Sequence, residues 1–210
     1  MAKNYVSNSS ESVRMFKNGL LEGVSKVHFT VPLYIYVPVI CYFIYQSFSE
    51  GISVPGFMGY LAFGLILWTA TEYVLHRFIF HYIPKPKWAL RLHFIFHGVH
   101  HDYPRDKKRL VMPPSVSIPL AVGFYFLFAR LISWKAGLYA FFPGFLIGYL
   151  IYDMLHYAMH HYNFKSGIMK KIKQHHMLHH YQDATKGFGV SSSLWDKVLH
   201  SDFSNDLGKE

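Results

Sequence analysis

The chain has 210 residues, a length that suits one domain and hardly two. Hydrophobic residues make up 51% of it and aromatics 19%, heavy for a soluble protein, and its one cysteine, Cys41, excludes an internal disulfide. The net charge of +9 sits beside membrane-length apolar runs and without a nucleic-acid-reading motif, so no nucleic acid is expected as partner; anionic lipid headgroups or an acidic protein are.

Residues 1–28 are polar and mixed in charge, unlike a cleavable signal peptide, and are expected to form a cytoplasmic N-terminal segment. From Ser12 onward Val13, Phe16, Leu20, Val24 and Val27 recur at helical spacing. That stripe predicts either an interfacial helix lying on membrane lipids or a helix packed on the rest of the protein. Residues 29–210 then read as a single membrane-embedded domain.

Four apolar runs follow: Phe29 to Phe48, Pro55 to Leu75, Ser115 to Trp134 and Gly137 to Leu155. Each is near the ~20 residues that span a bilayer core. Short turns at Ser49–Val54 and Ser133–Ala136 join them into two hairpins. Nineteen of the 21 Lys and Arg residues fall in the N-terminal segment, between Arg77 and Pro114, or after His156; only Arg130 and Lys135 lie at the hairpin turns. The positive-inside rule therefore puts both termini and the central loop in the cytoplasm, in a bacterial inner membrane or an endoplasmic-reticulum membrane. The expected fold is an all-α integral membrane protein, four transmembrane helices capped by a cytoplasmic histidine-rich helical region.

Fourteen of the 15 histidines lie between residues 76 and 200, most of them in four clusters. These are His76 with His81; His93, His97, His100 and His101; His156, His160 and His161; and His175, His176, His179 and His180. Histidines three or four apart share a helix face, which pairs His156 with His160, His97 with His100 and His101, and His176 with His179 and His180. His76 and His81 are five apart and overshoot one face, a spacing that suits a helix that ends or bulges there. So many imidazoles without cysteine fit two transition-metal ions, with iron, copper and zinc all open on donor type. Glu72 lies one turn before His76 and Asp153 three residues before His156. An acidic group near a membrane face is costly, and each is placed to accept the second ring N–H of a liganding histidine. The alternative for both is a helix-end or interhelical polar contact.

The strings His76-Arg77-Phe78-Ile79-Phe80-His81, His93-Phe94-Ile95-Phe96-His97-Gly98-Val99-His100-His101, Arg109-Leu110-Val111-Met112-Pro113-Pro114, Tyr152-Asp153-Met154-Leu155-His156-Tyr157 and His175-His176-Met177-Leu178-His179-His180 occur in order. Gly187-Phe188-Gly189-Val190-Ser191 and Leu194-Trp195-Asp196 follow. Over about residues 60 to 200 the chain thus resembles the fatty acid hydroxylase superfamily, and within it the fatty acid 2-hydroxylases of sphingolipid metabolism. The resemblance implies a di-iron, O2-dependent enzyme that hydroxylates C2 of a long fatty acyl lipid. It implies His76, His81, His97, His100, His101, His156, His160, His176, His179 and His180 as metal ligands. His93, His161 and His175 are then outer or structural. Zinc is expected to replace iron on purification, because nitrogen sites bind it more tightly than ferrous iron.

Unlike the eukaryotic members that it resembles, the chain has only 28 residues before its first apolar run, too few for a cytochrome b5-like domain, so electrons are expected from a separate donor such as a cytochrome b5 or a ferredoxin. The stretch Arg105, Lys107, Lys108, Arg109 is a candidate to receive it, or else a solvated, lipid-facing charge run. Two rivals stay open at this point. One is a sterol or carotenoid oxidase or a desaturase of the same superfamily. The other is a metal-binding membrane transporter, whose ligands should lie near the bilayer midplane.

Overall fold

The computed structural model describes residues 6–204; Lys3, Lys209 and the two chain ends, which enter the charge argument above, lie outside the described residues. Among the described residues every regular element is helical.

The N-terminal stripe does not form a helix from Ser12. The helix α1 spans only Gly19–Val24, started by the Asn18 side chain, which accepts from Leu20 and Leu21 N–H. Upstream, tertiary partners take the backbone groups that a helix would need. Met15 and Phe16 N–H both donate to the Glu22 carboxylate at 3.0 Å, and Val13 N–H donates to Asp106 at 3.2 Å. The Arg109 guanidinium donates to Glu22 at 2.6 Å and to the Val13 carbonyl at 2.8 Å. Burial works against the charge of Glu22, but Lys26, the Phe16 and Met15 N–H groups and Arg109 push its carboxyl down to about 2. The segment is an extended strap, with Met15 and Val27 buried and Leu20 left 76% exposed.

Four long helices follow, each long and apolar enough to cross a membrane: α2 (Val31–Ser49), α3 (Val54–Val74, continued by a π-helical turn to Phe80), α6 (Pro114–Leu131) and α7 (Lys135–His161). Helix α7 is the centre: 72% of its apolar window is buried inside the protein, against 11–22% for the other three. Two glycines let α3 and α7 meet backbone to backbone. A Cβ on Gly144 would stand 2.0 Å from the Leu61 carbonyl oxygen, and one on Gly64 2.1 Å from that of Phe141. Small residues at such crossings are how helices associate where lipid removes the hydrophobic drive. Around this seam Trp68, Phe128, Phe141, Phe145 and Tyr149 form the aromatic core.

The rest of the chain builds a cap at one end of the bundle. It comprises α4 (Lys87–His93), a second π-helical turn (Phe94–Gly98), α5 (Val99–Asp102), α8 (Gly167–Tyr181) and α9 (Leu194–Val198). At the other end, Lys135 of the second hairpin pairs with Glu50 of the first at 2.5 Å.

Candidate metal centre

The first π-helical turn resolves the five-residue histidine spacing. His81 N–H bonds to the His76 carbonyl at 3.1 Å, an i to i+5 bond that widens the helix and brings both rings to one side. Such π-bulges recur at functional sites.

Ten imidazoles then converge as two groups of five: His76, His81, His97, His101 and His179, and His100, His156, His160, His176 and His180. The consecutive pairs divide between them. His101 and His179 enter the first group, while His100 and His180 enter the second. About 100° separates successive residues on a helix, so His97 and His101, four apart, face one group while His100 faces the other. On α8 the roles swap: His176 and His180 share a group and His179 crosses over. Helical spacing alone pairs His100 with His97 and His179 with His176; the fold sends them to opposite groups. The groups abut, with the His101 and His180 rings stacked at 4.2 Å.

Within the first group, Nε2 atoms are 3.2 Å apart for His76–His97 and His76–His81, 3.0 Å for His81–His97 and His81–His179, and 2.9 Å for His97–His101. In the second they are 2.9 Å for His100–His156 and His160–His176, 3.0 Å for His100–His180 and 3.1 Å for His176–His180. Nitrogens bound about 2.0–2.1 Å from one ion lie about 2.9 Å apart at right angles and about 3.3 Å apart at the tetrahedral angle. The spacings fall in that range.

Two of these rings already spend their outer nitrogen on a backbone carbonyl. The His76 Nδ1–H donates to the Phe188 carbonyl at 2.5 Å, and the His179 Nδ1–H to that of Lys186 at 2.6 Å. As neutral rings, His76 and His179 then turn an Nε2 lone pair toward the other imidazoles of their group, the form in which a histidine binds a cation. Burial, and then neighbouring histidines, hold His81, His97, His100, His101, His176 and His180 well below the ordinary imidazole range. Burial takes His179 to about 4. The cap therefore offers neutral imidazoles, the form that binds metal. In the second group the Nδ1 atoms of His156, His176 and His180 are buried and find no protein partner.

The carboxylates behave differently from expectation. Glu72 does not bond the His76 ring. Its carboxylate accepts from Val190 N–H at 2.7 Å, Ser191 N–H at 2.8 Å and the Ser191 hydroxyl at 2.5 Å, all far along the chain. It holds the loop whose Phe188 carbonyl receives the His76 proton, and so acts on that ring one step removed. Asp153 makes no bond to His156 either; its carboxylate is buried beside the Tyr149 hydroxyl and the Met112 backbone. Of the three outer histidines, His93 and His161 stay outside both groups, and His175 bonds Asp196 at 3.0 Å.

Asp196 had no role in the sequence reading and has one here. Fully buried, it accepts from Phe188 N–H at 2.8 Å, Gly189 N–H at 2.7 Å, the Ser201 hydroxyl at 2.8 Å and the His175 ring. Burial opposes its charge, but the His175 ring, the Gly189 N–H and the Ser201 hydroxyl hold the carboxyl below its ordinary range. Glu72 and Asp196 thus pin the loop 187–191 from two sides. The only sequence hint was an acidic residue in a short motif, Leu194-Trp195-Asp196.

A cavity of about 200 Å³ lies against both groups, reaching His97 of the first and His100 and His156 of the second. Asp153 and Tyr152 line it, the remaining wall is mainly apolar, and Phe16, Leu21 and Val24 of the N-terminal strap close one side.

Residues 61–201 match the family model described as fatty acid hydroxylase. The chain is 40% identical over 190 residues to a dihydroceramide fatty acyl 2-hydroxylase of Arabidopsis thaliana, covering 90% of this chain and 79% of that one. It is 37% identical over 211 residues to the fatty acid 2-hydroxylase of Homo sapiens, covering 90% of this chain and 56% of that one. A solved structure of full-length scs7p, in which only the hydroxylase domain is visible, superposes with a TM-score of 0.85 at 36% identity, covering 91% of this chain and 72% of that one.

Proposed function

Because the chain belongs to the fatty acid hydroxylase family, we propose that it is a di-iron enzyme that uses O2 to hydroxylate C2 of a long fatty acyl chain carried by a sphingolipid or its precursor. The observation that carries this reading is the pairing of two five-imidazole groups with an apolar cavity that touches both. The two groups would hold two irons, which would supply the O2 chemistry; zinc, which does not change oxidation state, would not serve a redox reaction. The balance is one acyl C–H, one O2, two electrons and two protons in, and one hydroxyl and one water out.

The chain's own residues do the rest. His97, His100 and His156 set the polar end of the cavity, and Phe96, Val99 and Val116 offer the apolar wall that an acyl chain needs. Asp153, which lines this space, offers a carboxylate oxygen as a hydrogen-bond acceptor for a substrate hydroxyl or amide N–H. The strap covers the cavity and limits the entry of water. The four spans sit in an inner or endoplasmic-reticulum membrane with the histidine cap in the cytoplasm, and a separate one-electron donor completes the reaction.

The test is expression in cells that lack 2-hydroxy lipids, with a cytochrome b5 and its reductase supplied. We expect 2-hydroxy acyl chains from the wild-type chain, about two metal ions per purified chain, and loss of product in His156→Ala with the bundle still folded. Oxidised sterol or carotenoid in place of 2-hydroxy acyl chains would overturn the substrate; full activity in His156→Ala would overturn the ligand set.

A further inference from the structure

In the basic stretch at 105–109, Arg109 is buried in its ion pair with Glu22, while Arg105, Lys107 and Lys108 are exposed. A different basic surface lies across the cap. An open groove of about 920 Å³ runs between the outer face of α8 and the chain around α9. Lys170, Lys171, Lys173 and Lys197 line it against a single acidic residue, Asp202. Asp202 already accepts from Ser204, and among the described residues no ion pair neutralises Lys170, Lys171 or Lys197. The lining also includes Met177 and Phe203. Apolar contacts beside a charged rim are the anatomy of a protein interface rather than of a plain solvated face.

What sets this groove apart is where its wall leads. His175 lines it and is followed in the chain by His176, a member of the second imidazole group. Its ring also bonds Asp196 at 3.0 Å; Asp196 receives Phe188 N–H at 2.8 Å; and the Phe188 carbonyl receives the His76 Nδ1–H at 2.5 Å. Three hydrogen bonds and the backbone of one residue, Phe188, thus join the groove to the first group, and one peptide bond joins it to the second.

We infer that this groove is the docking surface for a small acidic protein carrying a one-electron redox group, which delivers electrons through His175. The inference rests on the redox reading of the two imidazole groups given above. Each turnover consumes two electrons, so the donor is oxidised twice, one electron at a time, and leaves between deliveries. Weak, charge-steered association suits that exchange: complementary charge raises the association rate and is sensitive to salt.

The experiment uses the full-length iron-loaded protein in nanodiscs of neutral lipid and, as probe, the soluble haem domain of a cytochrome b5. Binding is measured across a salt series, without turnover. The triple variant Lys170→Glu, Lys171→Glu, Lys197→Glu should weaken binding at least tenfold and flatten its salt dependence, and should slow oxidation of the reduced probe to match. The control Arg105→Glu, Lys107→Glu, Lys108→Glu should bind as wild type does. Equal binding by the triple variant and wild type, or loss only in the control, overturns the inference. So does a triple variant that binds the probe normally but no longer adheres to anionic vesicles, which would make the groove a lipid-headgroup surface. Failure of the functional reading looks different: the probe then binds and discriminates the variants, yet no acyl chain is hydroxylated.

Discussion

Each conspicuous histidine has a ring with two nitrogens, and the fold uses them differently in the two groups. In the first, backbone carbonyls of Phe188 and Lys186 fix the outer nitrogens of His76 and His179. The loop that carries the Phe188 carbonyl depends on Asp196. Asparagine at that position would turn one acceptor oxygen into a donor facing either the Phe188 and Ser201 donors or the Gly189 and His175 donors. A lost outer partner typically costs ~10–100-fold in metal affinity or activity. Asp196→Asn is therefore expected to weaken one of the two ions by roughly that factor and leave the other unchanged. Chelator titration followed by metal analysis measures this; equal weakening of both ions, or of neither, would contradict it. Glu72 shows how far such wiring is from the sequence. Its nearest histidine in the chain is one helical turn away, yet its acceptors serve Val190 and Ser191, which only the folded chain brings within reach. Histidine spacing was legible because a helix face is local. The destination of a carboxylate was not, because a loop can approach from anywhere.

Among the elements, the four long apolar helices were legible and their ends less so. Apolar length located all four helices to within a few residues, except that α7 runs on past Leu155 to His161. Its last turns are polar in sequence but buried in fact, because His156 and the cap imidazoles face one another. The strap was misread for the opposite reason: its periodicity is helical, but Asp106, Arg109 and Glu22 claim its backbone. Helix crossing was also hidden, since nothing in a run of apolar residues says which glycine lies at the seam. Here Gly144 and Gly123 make a controlled pair. At Gly144 a methyl group would meet the Leu61 backbone, whereas at Gly123 it would meet nothing within 4 Å. Overpacking typically costs about 1–3 kcal/mol, and a backbone neighbour that cannot rotate away puts Gly144→Ala at the top of that range or above. Gly123→Ala should be neutral or stabilise by up to about 1 kcal/mol, the usual helical preference for alanine. Unfolding in detergent, followed by loss of helical circular dichroism, reads both. A Gly144→Ala protein as stable as Gly123→Ala would show that α3 and α7 do not cross where these distances place them.

At the scale of the whole molecule, charge and chemistry are segregated along one axis. Every member of the two imidazole groups lies on the cap or on the adjoining ends of α3 and α7. At the opposite end the two hairpin turns lie side by side, joined by Lys135 and Glu50 at 2.5 Å. That ion pair supports a single orientation for both hairpins, since it ties together the two segments that hold the fewest basic residues. Arg130 and Lys135 are the only Lys or Arg there; the other nineteen of the sequence fall in the N-terminal segment, between Arg77 and Pro114, or after His156. Orientation follows the side richer in Lys and Arg when the loops are short. A hydroxylase that draws electrons from a soluble donor also needs its metal cap on the donor's side of the membrane. Reporter fusions after Ser53, in the first turn, and after Asp202, beyond α9, are expected on opposite sides, the second one cytoplasmic. Both fusions on one side would mean an odd number of crossings between them is wrong. A cytoplasmic Ser53 with an external Asp202 would invert the chain and leave the lysine groove with no soluble donor to meet.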